Sequence, residues 1–412
     1  MKKRILIFLL IGLLSISIIG CSSKVSTPVS KDVLDMEWSE VESAAKGSVV
    51  NFYGWGGDEK VNRWLDTVIA PALKDNYDIT LNRVPMNAED FLNKLLGDKQ
   101  VGNEKGSIDV LWINGENFYT AKNNELLFGP FLDKLPNAQK YINLDEEDVK
   151  YDFGYPVEGY EAPYGKAQLV FIYDRAKIDA PPKNHIELLE LAKKYPGKIT
   201  YPAPPDFTGS AFVRNIIYDV CGYETFQTLE DGALENNVAP GMDYLRELKP
   251  YLWRKGETYP ATVAQLNNMF ADGEVLFGMS YTPYYASGRI TDGEFSETTD
   301  TFVFDKGNIG NTHFLAIPFN AQNKAGAMVT INYIEGFEAQ ISKYNPEQWG
   351  DLPVLDYNKL SQEEKQVFDS IPLGKGGIPQ NILMEHRVPE MPARFIPRIE
   401  EIWVQVLSKK GE

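Results

Sequence analysis

Short apolar runs alternate along the chain with longer segments in which apolar residues recur every three to four positions. Residues 49–53, 79–84 and 108–113 are such runs, and an amphipathic segment follows each of the first two. A short run of this kind predicts a strand buried on both faces, and the three-to-four spacing predicts a helix. The alternation therefore predicts an α/β fold in which helices cover both faces of a parallel sheet.

Polar or glycine-rich segments follow each of the three predicted strands. Residues 54–57 are Gly-Trp-Gly-Gly, Asn87 follows the second strand, and residues 114–117 are Asn-Gly-Glu-Asn. Asp58 and Asn87 are placed to cap the helices that come next. Ligands of open α/β sheets bind outside the carboxyl ends of the strands. Any one segment could be an ordinary turn, but their recurrence predicts one wall of a ligand site.

The strand and helix pattern restarts after a long apolar strand at residues 165–173. A strand at 314–317 and a helix at 324–334 are assigned to the first lobe again. A chain that leaves one lobe, builds a second and returns makes a hinge of crossing strands, which can close around a ligand. The elements predicted for the second lobe are helices at 185–194, 211–220, 242–248 and 262–270, and strands at 199–201 and 275–279.

The length of the chain requires more than one domain, because about 380 residues beyond the N-terminal region exceed what one hydrophobic core usually serves.

Residues 343–412 are rich in proline, with helical patches at 361–369 and 395–407, and we expect them to pack mainly on the first lobe. The predicted segments are 1–20 (signal peptide), 21–45 (lipid anchor and flexible tether), 46–164 (lobe 1, first part), 165–313 (lobe 2 with hinge strands) and 314–412 (return to lobe 1 and C-terminal helices).

The N-terminus has the pattern of a secretory signal. Three basic residues, 2–4, precede an apolar run at 5–19, which is shorter than the ~18 residues of a membrane-spanning helix. Cys21 closes the run in a sequence that resembles a lipobox, although Ile19 stands where a smaller residue is usual. We predict lipidation of Cys21 by acyl chains such as palmitate. The alternative is that Cys21 merely ends an ordinary signal or anchor.

Composition and charge narrow the classes of partner. The chain is 43% hydrophobic and 12% aromatic, which predicts a globular body, and its net charge is −17. An acidic surface repels nucleic acid and anionic lipid headgroups, so we expect no nucleic-acid partner and attachment to the membrane through acyl chains alone. Acidity mildly favours cationic ligands, although it could serve solubility alone.

Cysteines and histidines give little sign of covalent or metal chemistry. Cys221 is the one cysteine beyond Cys21, so the body has no intramolecular disulfide, and we interpret Cys221 as a small packing residue. His185, His313 and His386 are far apart in sequence and form no metal-ligand spacing. We therefore predict no metal site and no cofactor.

Several motifs, taken in order, carry a family resemblance. They are residues 51–57 (Asn-Phe-Tyr-Gly-Trp-Gly-Gly), 108–117, 162–165 leading into 169–171, 207–214, 272–275, and 316–321 before Asn323 and Lys324. In this order, behind a lipoprotein signal, they resemble the type II periplasmic solute-binding proteins of ABC transporters. The narrower resemblance is to the YnjB-type branch, close to thiamine-, polyamine- and ferric-iron-binding members.

The resemblance implies two α/β lobes joined by a hinge, with a ligand cleft between them. It also implies a monomeric receptor without enzymatic activity, held by its lipid on the extracytoplasmic face of the cell membrane, that delivers a small-molecule solute to an ABC permease. The implied ligand contacts are Tyr53, Trp55, Gly56, Asn87, Asn114, Glu116 and Asn117 in the first lobe, Phe207, Thr208, Gly209, Ser210, Tyr281, Thr282 and Tyr284 in the second, and Lys166 and Gln168 at the hinge.

The implied contacts offer two kinds of chemistry. Aromatic faces with the Glu116 carboxylate suit an organic cation, each cation–π contact contributing ~0.5–2 kcal/mol, although buried tyrosines often belong to a core. The amides of residues 208–210 at a helix start suit an anion, or they form a plain N-cap. A cationic or zwitterionic ligand such as a thiamine-like compound or a polyamine fits best. Ferric iron fits poorly, because Tyr284 and Tyr285 would point to opposite faces of a strand.

Two other classes of protein stay open. The chain has no nucleotide-binding, zinc-protease or serine-hydrolase motif, but glycosidase carboxylate pairs leave no short motif, so a secreted hydrolase of a sugar or ester is the main alternative. A surface adhesin is a third possibility. The glycine-rich strand ends favour a ligand cleft over a flat protein interface.

Overall fold

The computed structural model describes residues 32–408, so the signal peptide and Cys21 lie outside the described residues. Twelve strands in this range form two larger sheets and a short hairpin, which confirms the predicted α/β class. They are β1 (Val49–Gly54), β2 (Thr80–Pro85), β3 (Val110–Ile113), β4 (Leu127–Phe128), β5 (Tyr151–Asp152), β6 (Tyr155–Pro156), β7 (Glu161–Gln168), β8 (Val170–Asp174), β9 (Phe277–Ser280), β10 (Thr299–Phe302), β11 (Asn308–Pro318) and β12 (Arg387–Pro389).

Eighteen α-helices surround these sheets in the described part, and none of them is both long enough and apolar enough to cross a membrane. They are α1 (Trp38–Ala45), α2 (Glu59–Trp64), α3 (Ala70–Tyr77), α4 (Ala88–Gln100), α5 (Gly115–Asn123), α6 (Pro136–Tyr141), α7 (Glu147–Lys150), α8 (His185–Lys194), α9 (Phe207–Cys221), α10 (Glu224–Gln227), α11 (Leu234–Leu248), α12 (Val263–Ala271), α13 (Tyr285–Thr291), α14 (Lys324–Ile334), α15 (Phe337–Tyr344), α16 (Gln362–Asp369), α17 (Gln380–Glu385) and α18 (Ile396–Trp403).

The first-lobe sheet has the order β2-β1-β3-β11, and β7 pairs with the other side of β11. Strands β1, β2 and β3 are parallel, and β11 is antiparallel to β3. The three predicted strands are confirmed, with ends that differ by up to two residues. Since the three are parallel, the segments that follow them begin at the same edge of the sheet.

The second-lobe sheet is smaller, with the order β10-β8-β9, and helix α9 is buried along almost its whole length. The predicted strand at residues 199–201 is not formed. Ile199 accepts one backbone hydrogen bond from Trp253, and Lys198 accepts one from Leu276, so the segment is extended without a ladder. Pro202 follows directly and cannot donate a backbone hydrogen bond.

The hinge consists of strands that belong to both lobes. The predicted strand at 165–173 is in fact β7 and β8, separated by Leu169, where the pairing changes from β11 to β9 and β10. Gly165 pairs with His313, so the two segment boundaries predicted at 165 and 313 fall side by side on these strands. Those boundaries stay predictions.

The C-terminal region divides between the lobes. Trp349, Val354 and Leu360 belong to the first-lobe core, as predicted for this region. The prediction is wrong for α18 and the residues after it, because Trp403 and Leu407 pack in the second-lobe core. The Trp403 indole nitrogen donates to the Tyr201 hydroxyl at 3.1 Å, so the apolar face of α18 finds its partners in the second lobe.

Candidate ligand cleft

The loop after β1 presents an exposed tryptophan. The Trp55 side chain is 42% exposed, and its ring lies edge-on to Trp112 with the centroids 6.4 Å apart. A Cβ on Gly57 would lie 2.4 Å from the Trp55 ring, and one on Gly56 would lie 2.5 Å from Pro85. Both glycines are therefore needed for close packing, which holds the indole in this exposed position.

Asn114 and the first turn of α5, which follow β3, connect the first lobe to the hinge. Asn114 accepts a hydrogen bond from the Trp112 indole at 3.1 Å and donates one to the Thr312 carbonyl of β11 at 2.5 Å. Gly115, at φ +58°, donates its N–H to the Asp152 carboxylate. Asn117 donates to Glu116 at 3.2 Å. The predicted residues Asn114, Glu116 and Asn117 thus lie together, with the Glu116 side chain partly exposed.

The second lobe contributes a group of aromatic rings. Phe207, at the start of α9, is 38% exposed, and its ring centroid lies 5.1 Å from that of Tyr281. It also lies 6.2 Å from Phe153, which belongs to the hairpin between β5 and β6. The two predicted aromatics of the second lobe therefore meet a third ring near the Glu116 loop, because Phe153 also packs against Gly115.

A buried ion pair lies beside these rings. The Arg214 guanidinium binds both carboxylate oxygens of Glu390, with Nη2–Oε1 at 2.8 Å and Nε–Oε2 at 3.1 Å. Arg214 also donates to the Ser210 hydroxyl at 2.6 Å, which donates to Glu400 at 2.5 Å. The Tyr281 hydroxyl donates to Glu390 at 2.7 Å. We call Arg214 with the four carboxyls Glu116, Asp152, Glu390 and Glu400 the cleft cluster.

The cleft cluster is short of positive charge. Burial raises the pKa of Glu116 to about 7; Arg214 opposes the rise, and Glu400 and Glu390 add to it. Burial also raises the pKa of Asp152 well above its usual range. Burial would lower the pKa of Arg214, but Glu390 outweighs it and the pKa is raised. The one guanidinium of the cleft cluster thus acts on Glu116, Glu390 and Glu400, and a further cation would favour the ionised forms of the four carboxyls.

The helix start at residues 208–210 is not the open anion cradle that we considered. Asp206 is the N-cap of α9, and its carboxylate accepts the Gly209 N–H at 2.9 Å and the Val263 N–H at 3.0 Å. Hydrogen bonds from Thr208 and Gly209 oppose the burial that raises the Asp206 pKa. The helix does have a side-chain N-cap, but the capping residue is Asp206 and not Thr208, and its carboxylate already occupies the positive end of the helix.

Other predicted contacts lie outside the cleft cluster. Tyr284 is a core residue that packs with Tyr344 and Leu383. Lys166 is paired with Glu146 at 2.5 Å and Asp148 at 3.7 Å. The Gln168 amide donates to the His386 carbonyl, and Asn87 precedes α4. Tyr53 is half-buried and packs against the hydrophobic cluster around Phe91. Thr282 is also half-buried and donates its N–H to the Ser280 hydroxyl.

The Asn87 side chain accepts no hydrogen bond from the start of α4, so the predicted side-chain cap there is wrong. The predicted cap at Asp58 is confirmed, because its carboxylate accepts the N–H groups of Lys60 and Val61. Asp58 also lies 3.9 Å from Arg289 of the second lobe, and Lys60 lies 2.9 Å from Asp292. The lobes therefore touch at the start of α2 as well as beside Phe153.

Six residues of the candidate site were not singled out by sequence: Trp112, Asp152, Phe153, Arg214, Glu390 and Glu400. The sequence contained one indication of Arg214, because it is a charged residue in the largely apolar helix α9. The sequence contained no indication of Glu390, because its partner Arg214 is 176 residues away in the chain. Among residues 32–408, no three His, Cys, Asp or Glu side chains are grouped so that they could hold a metal ion.

Two α/β lobes joined by crossing hinge strands, with a candidate site at the strand ends, are the architecture of a type II periplasmic binding protein. The chain belongs to the family of bacterial extracellular solute-binding proteins, whose family model matches residues 67–366. It is similar to protein YnjB of Escherichia coli strain K12, with 37% identity over 340 residues, covering 81% of this chain and 86% of YnjB. The resemblance to the YnjB-type branch is thus confirmed.

Solved structures confirm the fold. A periplasmic thiamin-binding protein superimposes with a TM-score of 0.62 at 15% identity, covering 88% of this chain and 96% of that one. The periplasmic binding protein AfuA from Actinobacillus pleuropneumoniae, with fructose-6-phosphate bound, gives 0.62 at 13% identity, covering 88% and 99%. The family and these relatives are binding proteins. The chain is accordingly a solute-binding component of an ABC transporter that acts outside the cytoplasm.

Proposed function

We propose that this chain captures an organic cation outside the cell and delivers it to the permease of an ABC importer. The observation that carries the proposal is the charge of the cleft cluster, where Glu116 is partly exposed among carboxyls that a single guanidinium serves. A carboxylate that is reached by solvent and lacks a counter-ion is a suitable partner for a ligand cation.

Exposed aromatic rings of the two lobes support the same ligand class. Trp55 and Phe207 are among the exposed large hydrophobic residues, one in each lobe, and Phe207 lies beside Tyr281. A cation that contacts such a ring gains ~0.5–2 kcal/mol. Thiamine-like compounds and polyamines both carry the required charge. A sugar phosphate would bring further negative charge to the cluster and would be repelled.

We further propose that Cys21 carries the lipid that holds the receptor at the membrane surface. The support is the lipobox-like sequence and the extracytoplasmic location of the family. A Cys21→Ser variant should appear in the culture medium or the periplasm, whereas the parent protein should sediment with membranes and incorporate labelled palmitate. If the parent incorporates no labelled palmitate and stays soluble, the anchor proposal is wrong.

The ligand proposal is tested by a thermal-shift screen of the purified mature protein against organic cations, amino acids, sugars, sugar phosphates and metal salts. A ligand that binds only the folded state raises the melting temperature by mass action. We expect organic cations to raise it, and Glu116→Gln to abolish most of the shift. Glu104→Gln, at an exposed glutamate outside the cleft cluster, is the matched control. Shifts with sugars or sugar phosphates and none with cations would refute the proposal.

A further inference from the structure

Asp58 and Asp351, two acids at the tryptophan end of the candidate cleft, have partners that the carboxyls of the cleft cluster lack. At the tryptophan end, Asp58 caps helix α2 and lies 3.9 Å from Arg289. Asp351 is bound by Lys343 at 2.9 Å and lies 3.3 Å from His313, whose ring is 5.2 Å from Trp112. Each of these acids already has a cationic or hydrogen-bonding partner. A second ammonium group of an extended ligand would find no free carboxylate among them.

An unpartnered oxygen marks the acidic end. One carboxylate oxygen of Asp152 accepts the Gly115 N–H, and the other is buried without a hydrogen-bond partner in the described part of the chain. After burial, Glu116 and Glu390 also raise the pKa of Asp152, so Asp152 belongs to the same electrostatic unit. Several other buried polar atoms of the described residues also lack a protein partner, but this one lies in the cluster that contains the partly exposed Glu116, which supports a bound group at this end.

The aromatic rings lie next to this single acidic end. Phe207 is 38% exposed, with Tyr281 at 5.1 Å and Phe153 at 6.2 Å. A flat ring that carries a delocalised positive charge can contact an aromatic face while its charge lies near a carboxylate. A linear polyamine has no flat face to use, and its charges are spread along its length.

An anionic tail has no place at the helix start. Asp206 occupies the N-terminus of α9 and takes the Gly209 N–H. The Arg214 guanidinium is also taken, because Glu390 binds it with both oxygens and Ser210 accepts a third hydrogen bond. A ligand carboxylate or phosphate would have to displace one of these acids. The cleft therefore disfavours zwitterions as well as anions.

We propose that the cleft selects a compact ring cation with one positive centre, seated beside Glu116 and against Phe207, over linear polyamines and zwitterions. This inference rests on the proposed function and names the ligand class of the same site. The inference distinguishes ring cations from linear polyamines, which the acidic net charge of the protein does not.

The test is a calorimetric titration of the intact mature protein with charge-matched pairs. The ring cations are thiamine and 1-methylnicotinamide, the neutral counterpart of the second is nicotinamide, the linear cations are putrescine and spermidine, and the zwitterions are thiamine phosphate and 4-aminobutyrate. We expect at least one ring cation to bind at least tenfold more tightly than every linear or zwitterionic compound, and 1-methylnicotinamide to bind more tightly than nicotinamide.

Substitutions of aromatic residues distinguish the loss of a ring contact with the ligand from a loss of folding. Phe207→Leu should weaken the binding of the ring cation about tenfold, and Phe207→Tyr should restore most of it. Tyr357→Leu, at an exposed aromatic residue outside the cleft, should leave it unchanged. If spermidine or putrescine binds more tightly than every ring cation, this inference is wrong while the proposed function stands. If sugars or sugar phosphates bind and no cation does, both are wrong.

Discussion

Two clusters of buried charged residues in this protein differ in how many cationic side chains they contain for each carboxylate. In the hinge-side cluster, Lys343 binds Asp351 at 2.9 Å and both side chains are fully buried, with His313 3.3 Å from the same carboxylate. In the cleft cluster, Arg214 binds Glu390 directly and acts on Glu116 and Glu400 at longer range. Most side chains of both clusters are buried, but only the hinge-side cluster is close to charge balance.

The pKa shifts of the two clusters run in opposite directions for this reason. Burial would raise the pKa of Asp351, but Lys343 and His313 outweigh it and the pKa is lowered. Burial also raises the pKa of Glu116, and there Arg214 fails to outweigh burial and the neighbouring carboxyls. A compensated pair is part of the scaffold, whereas an uncompensated carboxyl that solvent can reach is suited to a ligand.

The largest effect that we predict comes from unbalancing the hinge-side cluster. Lys343→Met leaves a buried aspartate without its lysine and should cost about 3–5 kcal/mol in the free energy of unfolding, measured with urea. The double variant Lys343→Met/Asp351→Asn should recover much of this loss, because no uncompensated charge remains. A loss below about 1 kcal/mol in the single variant would show that Asp351 does not depend on Lys343.

The second prediction concerns the ligand partner in the cleft cluster. Glu116→Gln should weaken binding of an organic cation roughly 10- to 100-fold, about 1.4–2.8 kcal/mol, because the amide has nearly the same shape but no charge. Calorimetric titration gives this value directly, with Glu104→Gln as the control. An unchanged dissociation constant would remove Glu116 from the ligand site.

The third prediction is that the same variant stabilises the ligand-free protein at alkaline pH. The pKa of Glu116 is about 7 in the folded chain against the usual 4.5. Between these two values the folded state keeps a proton that the unfolded state releases, so the free energy of unfolding falls over this range and stays lowered above it. Glutamine cannot ionise. Glu116→Gln should therefore unfold with about 2 kcal/mol more free energy than the parent at pH 8 and with little difference at pH 4.5. Equal pH profiles of the two proteins would contradict the raised pKa.

The smallest effect is the pH dependence of ligand affinity. A cation with constant charge should bind more tightly as Glu116 loses its proton, with a gain of up to about tenfold between pH 6 and pH 8. The binding constant of a permanently charged probe across this range measures it. In Glu116→Gln the profile should be flat. A parent profile that falls with rising pH would reverse the assigned role of the carboxyl.

The secondary structure that depends on local periodicity was predictable. The bounds of α8 and α14 agree with those predicted at 185–194 and 324–334. Both helices have one regular pattern of apolar residues and no proline within them. The strand predicted at 165–173 was only partly right, because the change of pairing at Leu169 depends on which strands of the other half lie beside it.

The candidate site was predictable on one side. Trp55, Asn114 and Glu116 follow strands, so the rule for open sheets identified them. The amides at residues 208–210 were also located correctly at a helix start, but the acid that binds them, Asp206, was not foreseen. Proline residues around Asp206 obscure the beginning of α9 in the sequence.

The sequence by itself determined the α/β class, the strand ends that carry polar loops, and the family resemblance, because these depend on residues close together in the chain. Only the tertiary structure decided which buried charges are compensated. Lys343 and Asp351 are neighbours in sequence, whereas Arg214 and Glu390 are 176 residues apart and meet only because β12 pairs with β11. Charge balance is a property of groups assembled in space, and it separates the ligand cluster from the scaffold.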